Sequence, residues 1–151
     1  MDKELLENMQ KLMAITASLS TCSTKNCNEL KKIMMQDTEY TSLNTQYVNE
    51  KNTKKKEKLL DKISENELLH NYNKCILKHC KEIYKDFIKI VKINIKLIPK
   101  NNNPINIAKY DELNKIISDL EKFMKLKNIT KEQNKAFVIT TRKLTDSMSK
   151  I

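Results

Sequence analysis

Asn73 to Pro99 reads NKCILKHCKEIYKDFIKIVKINIKLIP, and this stretch decides the fold. Lys74, Lys78, Lys81, Lys85, Lys89, Lys92, Lys96 and Lys100 recur at steps of four or three. At about 100° per residue, such a row drifts only about 80° around a helix over about 39 Å of its length. Opposite the lysines stand Ile76, Leu77, Cys80, Ile83, Tyr84, Phe87, Ile88, Val91, Ile95 and Ile98. An apolar face and a cationic face sharing one period predict a long amphipathic helix. Lys92–Leu97 also alternates strictly, and Ala136–Thr141 is rich in β-branched residues, so 88–98 and 135–142 could instead pair as strands. The lysine period persists across the whole stretch and no hairpin turn chemistry is present, which favours helix.

Upstream, Ser64-Glu-Asn-Glu67 has the form of a capping box, and Leu59, Leu60 and Ile63 carry the apolar face further back. The central helix is therefore expected over 59–98, closed by the Pro/Asn loop of 99–104. Residues 1–50 hold the N-terminal helices, with a broad stripe of Leu5, Leu6, Met9, Leu12, Met13, Ile15 and Leu19. The run Ser18–Thr24 consists of poor helix formers and marks an expected break. Residues 49–58 read as a charged link or a solvated helical turn. Residues 106–151 hold the C-terminal helices, the last opened by a second capping box, Thr130-Lys-Glu-Gln133. The expectation is one all-α domain, a bundle of four or five helices around a long central one.

Composition narrows the possible functions. Glycine is absent from all 151 residues, which excludes a glycine-rich phosphate loop or dinucleotide fingerprint. The formal net charge of +10 points to an acidic or polyanionic partner. That charge is uneven: residues 1–50 sum to −2 and 74–100 to +6. Of 29 basic residues only Arg142 is arginine, the side chain that reads phosphate and guanine bidentately. Tryptophan is absent, so stacking platforms for single-stranded nucleic acid are scarce. The start of the chain lacks a basic-then-apolar leader, and its most apolar window has lysine at every turn. A soluble product made in the cytosol, with no membrane span, is expected.

One constellation has chemical content. Cys22-Ser-Thr-Lys-Asn-Cys27 and Cys75-Ile-Leu-Lys-His-Cys80 are both Cys-x4-Cys. Five residues along a helix separate Cα atoms by about 8.7 Å, beyond the roughly 7 Å limit of a disulfide. Bonds within either pair would need a broken helix. Across antiparallel helices the equal spacing lets Cys22 pair with Cys80 and Cys27 with Cys75, as two rungs about 7.5 Å apart. Two other states remain open: buried free thiols, and zinc with His79 or His70 as spare ligand. His70 and His79 otherwise read as surface or satisfied histidines. Glu65, Glu67, Glu82 and Asp86 read as solvated charge. The methionines read as core filler. No catalytic residue, cofactor or metal site is expected.

A small, glycine-free, Lys/Asn/Ile-rich helical chain with the paired cysteines Cys22, Cys27, Cys75 and Cys80 resembles minor virion proteins of nucleocytoplasmic large DNA viruses. Those viruses encode thiol oxidases, so the resemblance implies that disulfides can form in a cytosolic product and that the chain ends up in the virion. The reading is a non-enzymatic minor capsid or assembly component whose lysine face meets other structural proteins with acidic surfaces. The alternative is a nucleic-acid-packaging protein using non-specific lysine–phosphate contacts with DNA. A third is a helical adaptor that binds a host protein.

Overall fold

At the two ends of Cys80, a helix stops and another starts, and this bend organises the molecule. The computed structural model describes residues 3–97 and 104–149. Among them are seven helices and no strand: α1 Lys3–Gln36, α2 Thr38–Asn49, α3 Thr53–Ser64, α4 Glu67–His79, α5 Lys81–Lys96, α6 Pro104–Phe123 and α7 Lys131–Ser149. The chain is all-α. The count exceeds four or five because the stretch expected as one central helix over 59–98 is three helices, α3, α4 and α5. As far as they are described, neither segment that could have been a strand is one: 88–96 lie in α5, Leu97 is its C-cap, and 135–142 lie in α7.

Local chemistry accounts for the breaks. The Ser64 capping box does not form: Ser64 Oγ donates to the Asp61 carbonyl, and Asn66 is the cap of α4, its side chain accepting from Leu69 N at 3.0 Å. Asn52 and Asp37 cap α3 and α2 in the same way. The second box forms fully. Gln133 N donates to Thr130 Oγ1 at 3.2 Å, and Thr130 N donates to Gln133 Oε1 at 3.0 Å. α6 begins at Pro104, where a missing N–H costs nothing. The expected 99–104 loop otherwise lies outside the described residues.

α1 continues through Ser18–Thr24, where a break was expected. Thr16, Ser18 and Thr21 hydroxyls donate to carbonyls four residues back, so their polar groups are satisfied within the helix. The kink comes later, at Cys27 (φ −127°, ψ 18°).

The helices close into a ring. α1 lies along α4 and α5, α5 packs on α6, α6 on α7, α7 on α3, α3 on α2, and α2 returns to α1; α4 also touches α3 and α7. The larger core joins Ile88, Val91 and Ile95 of α5 to Leu113, Ile117 and Leu120 of α6 and Phe137 of α7. A second gathers Tyr40, Tyr47, Leu60, Ile63 and Leu69. Inside, Asn73 Nδ2 donates to Asn134 Oδ1 at 2.9 Å, satisfying two buried amides. α1 adds little apolar burial. Leu12, Ile15 and Leu19 are half-buried, whereas Leu6 (46%), Met9 (43%) and Met13 (72%) remain exposed, so the expected stripe is covered along one edge only. Of the methionines read as core filler, Met34 and Met124 are buried and Met9, Met13 and Met35 are not.

Candidate functional site

The four cysteines meet where α1 crosses the α4–α5 bend. Cys22 is bonded to Cys80 and Cys27 to Cys75, with Cα–Cα distances of 6.1 and 6.0 Å, and no cysteine is free. With every thiol in a disulfide, neither the free-thiol state nor cysteine-bound zinc occurs. Among the described residues no group of His, Cys, Asp and Glu could hold a metal ion.

The geometry explains why the spacing works. On a straight helix, positions five apart point about 140° away from each other. Two such cysteines cannot both face one neighbour. Each motif solves this at its second cysteine, where the backbone leaves helical geometry: Cys27 at φ −127°, ψ 18° and Cys80 at φ −120°, ψ 12°. These two are 2% and 1% exposed, while Cys22 and Cys75 lie nearer the surface. The contacts repeat with the same symmetry. Cys22 Sγ lies 3.6 Å from the His79 carbonyl oxygen, and Cys75 Sγ lies 3.5 Å from that of Asn26. A disulfide sulfur carries no proton, so these are contacts rather than hydrogen bonds. Ser23 and Tyr72 hydroxyls add a 2.5 Å hydrogen bond beside the rungs. The two motifs thus form a local pseudo-two-fold cross-link between α1 and the α4–α5 bend.

The lysine row is carried by two helices, not one. Lys74 and Lys78 are on α4; Lys81, Lys85, Lys89, Lys92 and Lys96 are on α5. Lys100 lies outside the described residues. The single non-helical residue at Cys80 hardly disturbs the phase, so the lysines stay on the outer side across the bend. Three of them have internal partners. Lys81 Nζ donates to the Leu126 carbonyl, Lys85 pairs with Glu82 at 3.2 Å, and Lys92 pairs with Glu121 of α6 at 3.3 Å. Lys74, Lys78, Lys89 and Lys96 have no ion pair among the described residues.

Two residues escaped the sequence reading. Lys125 and Lys127, in the link after α6, come alongside the row from a different part of the chain. Lys125 joins Lys85, Lys89, Lys92 and Glu121 around a trough of about 390 Å³ whose floor is Ile88 and Met124. Lys127 joins Lys74 and Lys78 around a second trough beside Leu77, Leu126 and Ile129. Lys81 is held to Leu126, which lines the second trough. No pattern along α4–α5 could announce partners supplied by the α6–α7 link.

The other candidates take structural places. His70 Nε2 sits 3.1 Å from the Ile129 carbonyl oxygen, Glu65 pairs with Lys135 at 3.0 Å, and His79, Glu67, Glu82 and Asp86 are on the surface. Arg142 is engaged inside the fold. Its Nη2 donates to Asn44 Oδ1 at 2.8 Å, and its guanidinium lies 5.5 Å from the Tyr47 ring, with Lys56 Nζ 4.7 Å from that ring. The Tyr47 hydroxyl donates to Asp146 at 2.8 Å.

Burial, then the Asp146 hydrogen bond and charge, push the Tyr47 phenol from 10.0 up to about 12, with Arg142 opposing. Folded Tyr47 keeps its proton where the unfolded phenol has lost it. Its contribution is therefore complete below pH 10 and lost as pH rises toward 12. Tyr47→Phe should flatten that part of the stability–pH curve in urea denaturation. An unchanged alkaline slope would disprove the assignment.

No helix among the described residues is long and apolar enough to cross a membrane. Compared with protein-family models, with curated proteins and with solved structures, the chain matches none.

Proposed function

We propose that the chain is a non-catalytic structural part of a larger assembly, of the minor-capsid kind implied by its resemblance to virion proteins of large DNA viruses. The observation that carries this reading is the double cross-link. It fixes α1 across the α4–α5 bend and holds the lysine face at a set angle. A rigid cationic face suits a part that docks against an acidic neighbour, because little ordering entropy is lost on binding. The lysines without ion pairs supply complementarity to acidic protein surfaces.

The test is fractionation of producing cells on a density gradient, following the chain with an antibody. An assembly component sediments with particles and stays with them through a moderate salt wash. Recovery only among slow-sedimenting soluble proteins would end this reading. Salt-labile recovery with nucleic acid would favour the packaging alternative.

A further inference from the structure

The two lysine troughs differ from a merely charged surface, because each has aliphatic side chains among its lining residues. In the first, Ile88 and Met124 form the floor between Lys85, Lys89, Lys92 and Lys125. In the second, Leu77, Leu126 and Ile129 lie beside Lys74, Lys78 and Lys127. The lysine stems add further methylene surface, since a lysine can lay its chain on apolar ground and keep its ammonium in water.

From this we infer that the trough between α5 and the end of α6 seats an acidic peptide segment of a partner protein, carboxylates on the lysines and an aliphatic side chain on the floor. This rests on the docking role proposed above and names the partner's chemistry. Three observations favour a peptide over nucleic acid. The trough between α5 and the end of α6 is lined by no aromatic ring on which a base could stack. The only arginine is held by Asn44 and Tyr47 and lines neither trough. Glu121 stands in the wall, where a peptide N–H can meet it but a phosphodiester, which has no donor, cannot. From Lys85 to Lys92 the wall runs about 10 Å along α5, the reach of three extended residues. Few contacts of this size bind tightly, so the trough is one anchor within a wider interface.

The experiment uses the oxidised full chain and fluorescence anisotropy with three labelled probes. One is a glutamate-rich peptide bearing leucines, the second the same peptide with serine for leucine, and the third a short DNA duplex. The leucine peptide should bind at least tenfold more tightly than the serine peptide, the ratio expected from burying one aliphatic side chain. K89Q/K125Q should lower its affinity at least tenfold, while K54Q/K55Q on α3 should leave it unchanged. Lys89 and Lys125 have no ion pair among the described residues, so this variant should fold as the wild type does. Equal affinity for both peptides, tightest binding to the duplex, no binding to any probe, or equal sensitivity to the two lysine variants would each overturn the inference. Those outcomes leave the sedimentation result untouched, and a chain that binds the leucine peptide yet never sediments with particles would fail the assembly role alone.

Discussion

C22S/C80S should melt roughly 8 °C below the wild-type chain, followed by far-UV circular dichroism under non-reducing conditions. The bond closes a sequence separation of 58 residues. With Cys27–Cys75 still closed, the loop it releases is only the two arms 22–27 and 75–80, an unfolded-state entropy equivalent to about 2.7 kcal/mol, and about 3 °C of midpoint follows each kcal/mol at this chain size. The Cys27–Cys75 bond spans 48 residues and lies inside the first, so each bond shortens the loop the other closes and its removal alone should cost about as much. Loss of both bonds should act most on α1, which among the described residues contributes only Cys27 and Met34 to the buried apolar side chains. Amide exchange should then quicken along the first two-thirds of α1 while α5–α7 stay protected. An unchanged midpoint after C22S/C80S, with native-like exchange in α1, would show that packing rather than cross-linking holds the helix.

A comparable loss is expected in the larger core. Leu120 is fully buried between α5 and α7, among Ile88, Val91, Leu113 and Phe137. Leu120→Ala removes three methyl(ene) carbons and leaves a cavity that helices tied together on several sides cannot fully close. The expected cost is about 3 kcal/mol, or about 9 °C of midpoint. Met13→Ala, at a position 72% exposed, is the matched control and should change stability by less than about 0.5 kcal/mol. Similar losses at both positions would mean that α1 is covered in solution by something beyond this chain's own fold.

How much of this was legible in the sequence follows from how local each signal is. The lysine period, the Thr130–Gln133 box and the helical character of 74–79 and 81–96 are local patterns, and each stands in the structure. The breaks were hidden. Asn66 competed with Ser64, one residue type against another with the same capping ability, and only the tertiary path chose between them. The break at Cys80 is invisible to periodicity because a single residue at φ −120°, ψ 12° leaves lysines and apolar residues nearly in phase. The equal spacing of the cysteines suggested facing pairs, but their kinks did not follow from that spacing read on straight helices. The α1 stripe was over-read. Leu6, Met9 and Met13 have helical spacing, yet α1 meets α4 and α5 along one edge and leaves these side chains in solvent. Lys125 and Lys127 belong to the site through the return of α6, a long-range event with no local signature.

The paired rungs also alter what a protease can accomplish. Because Cys22 is joined to Cys80 and Cys27 to Cys75, the backbone between them is a closed covalent circuit. It contains the charged link around Lys51, the sort of exposed tip where proteases cut first. One cut there opens the circuit without releasing a fragment: the pieces remain one molecule, of intact mass plus one water, until a reductant separates them. A chain cross-linked in this way can be clipped at its surface and still keep its pieces together.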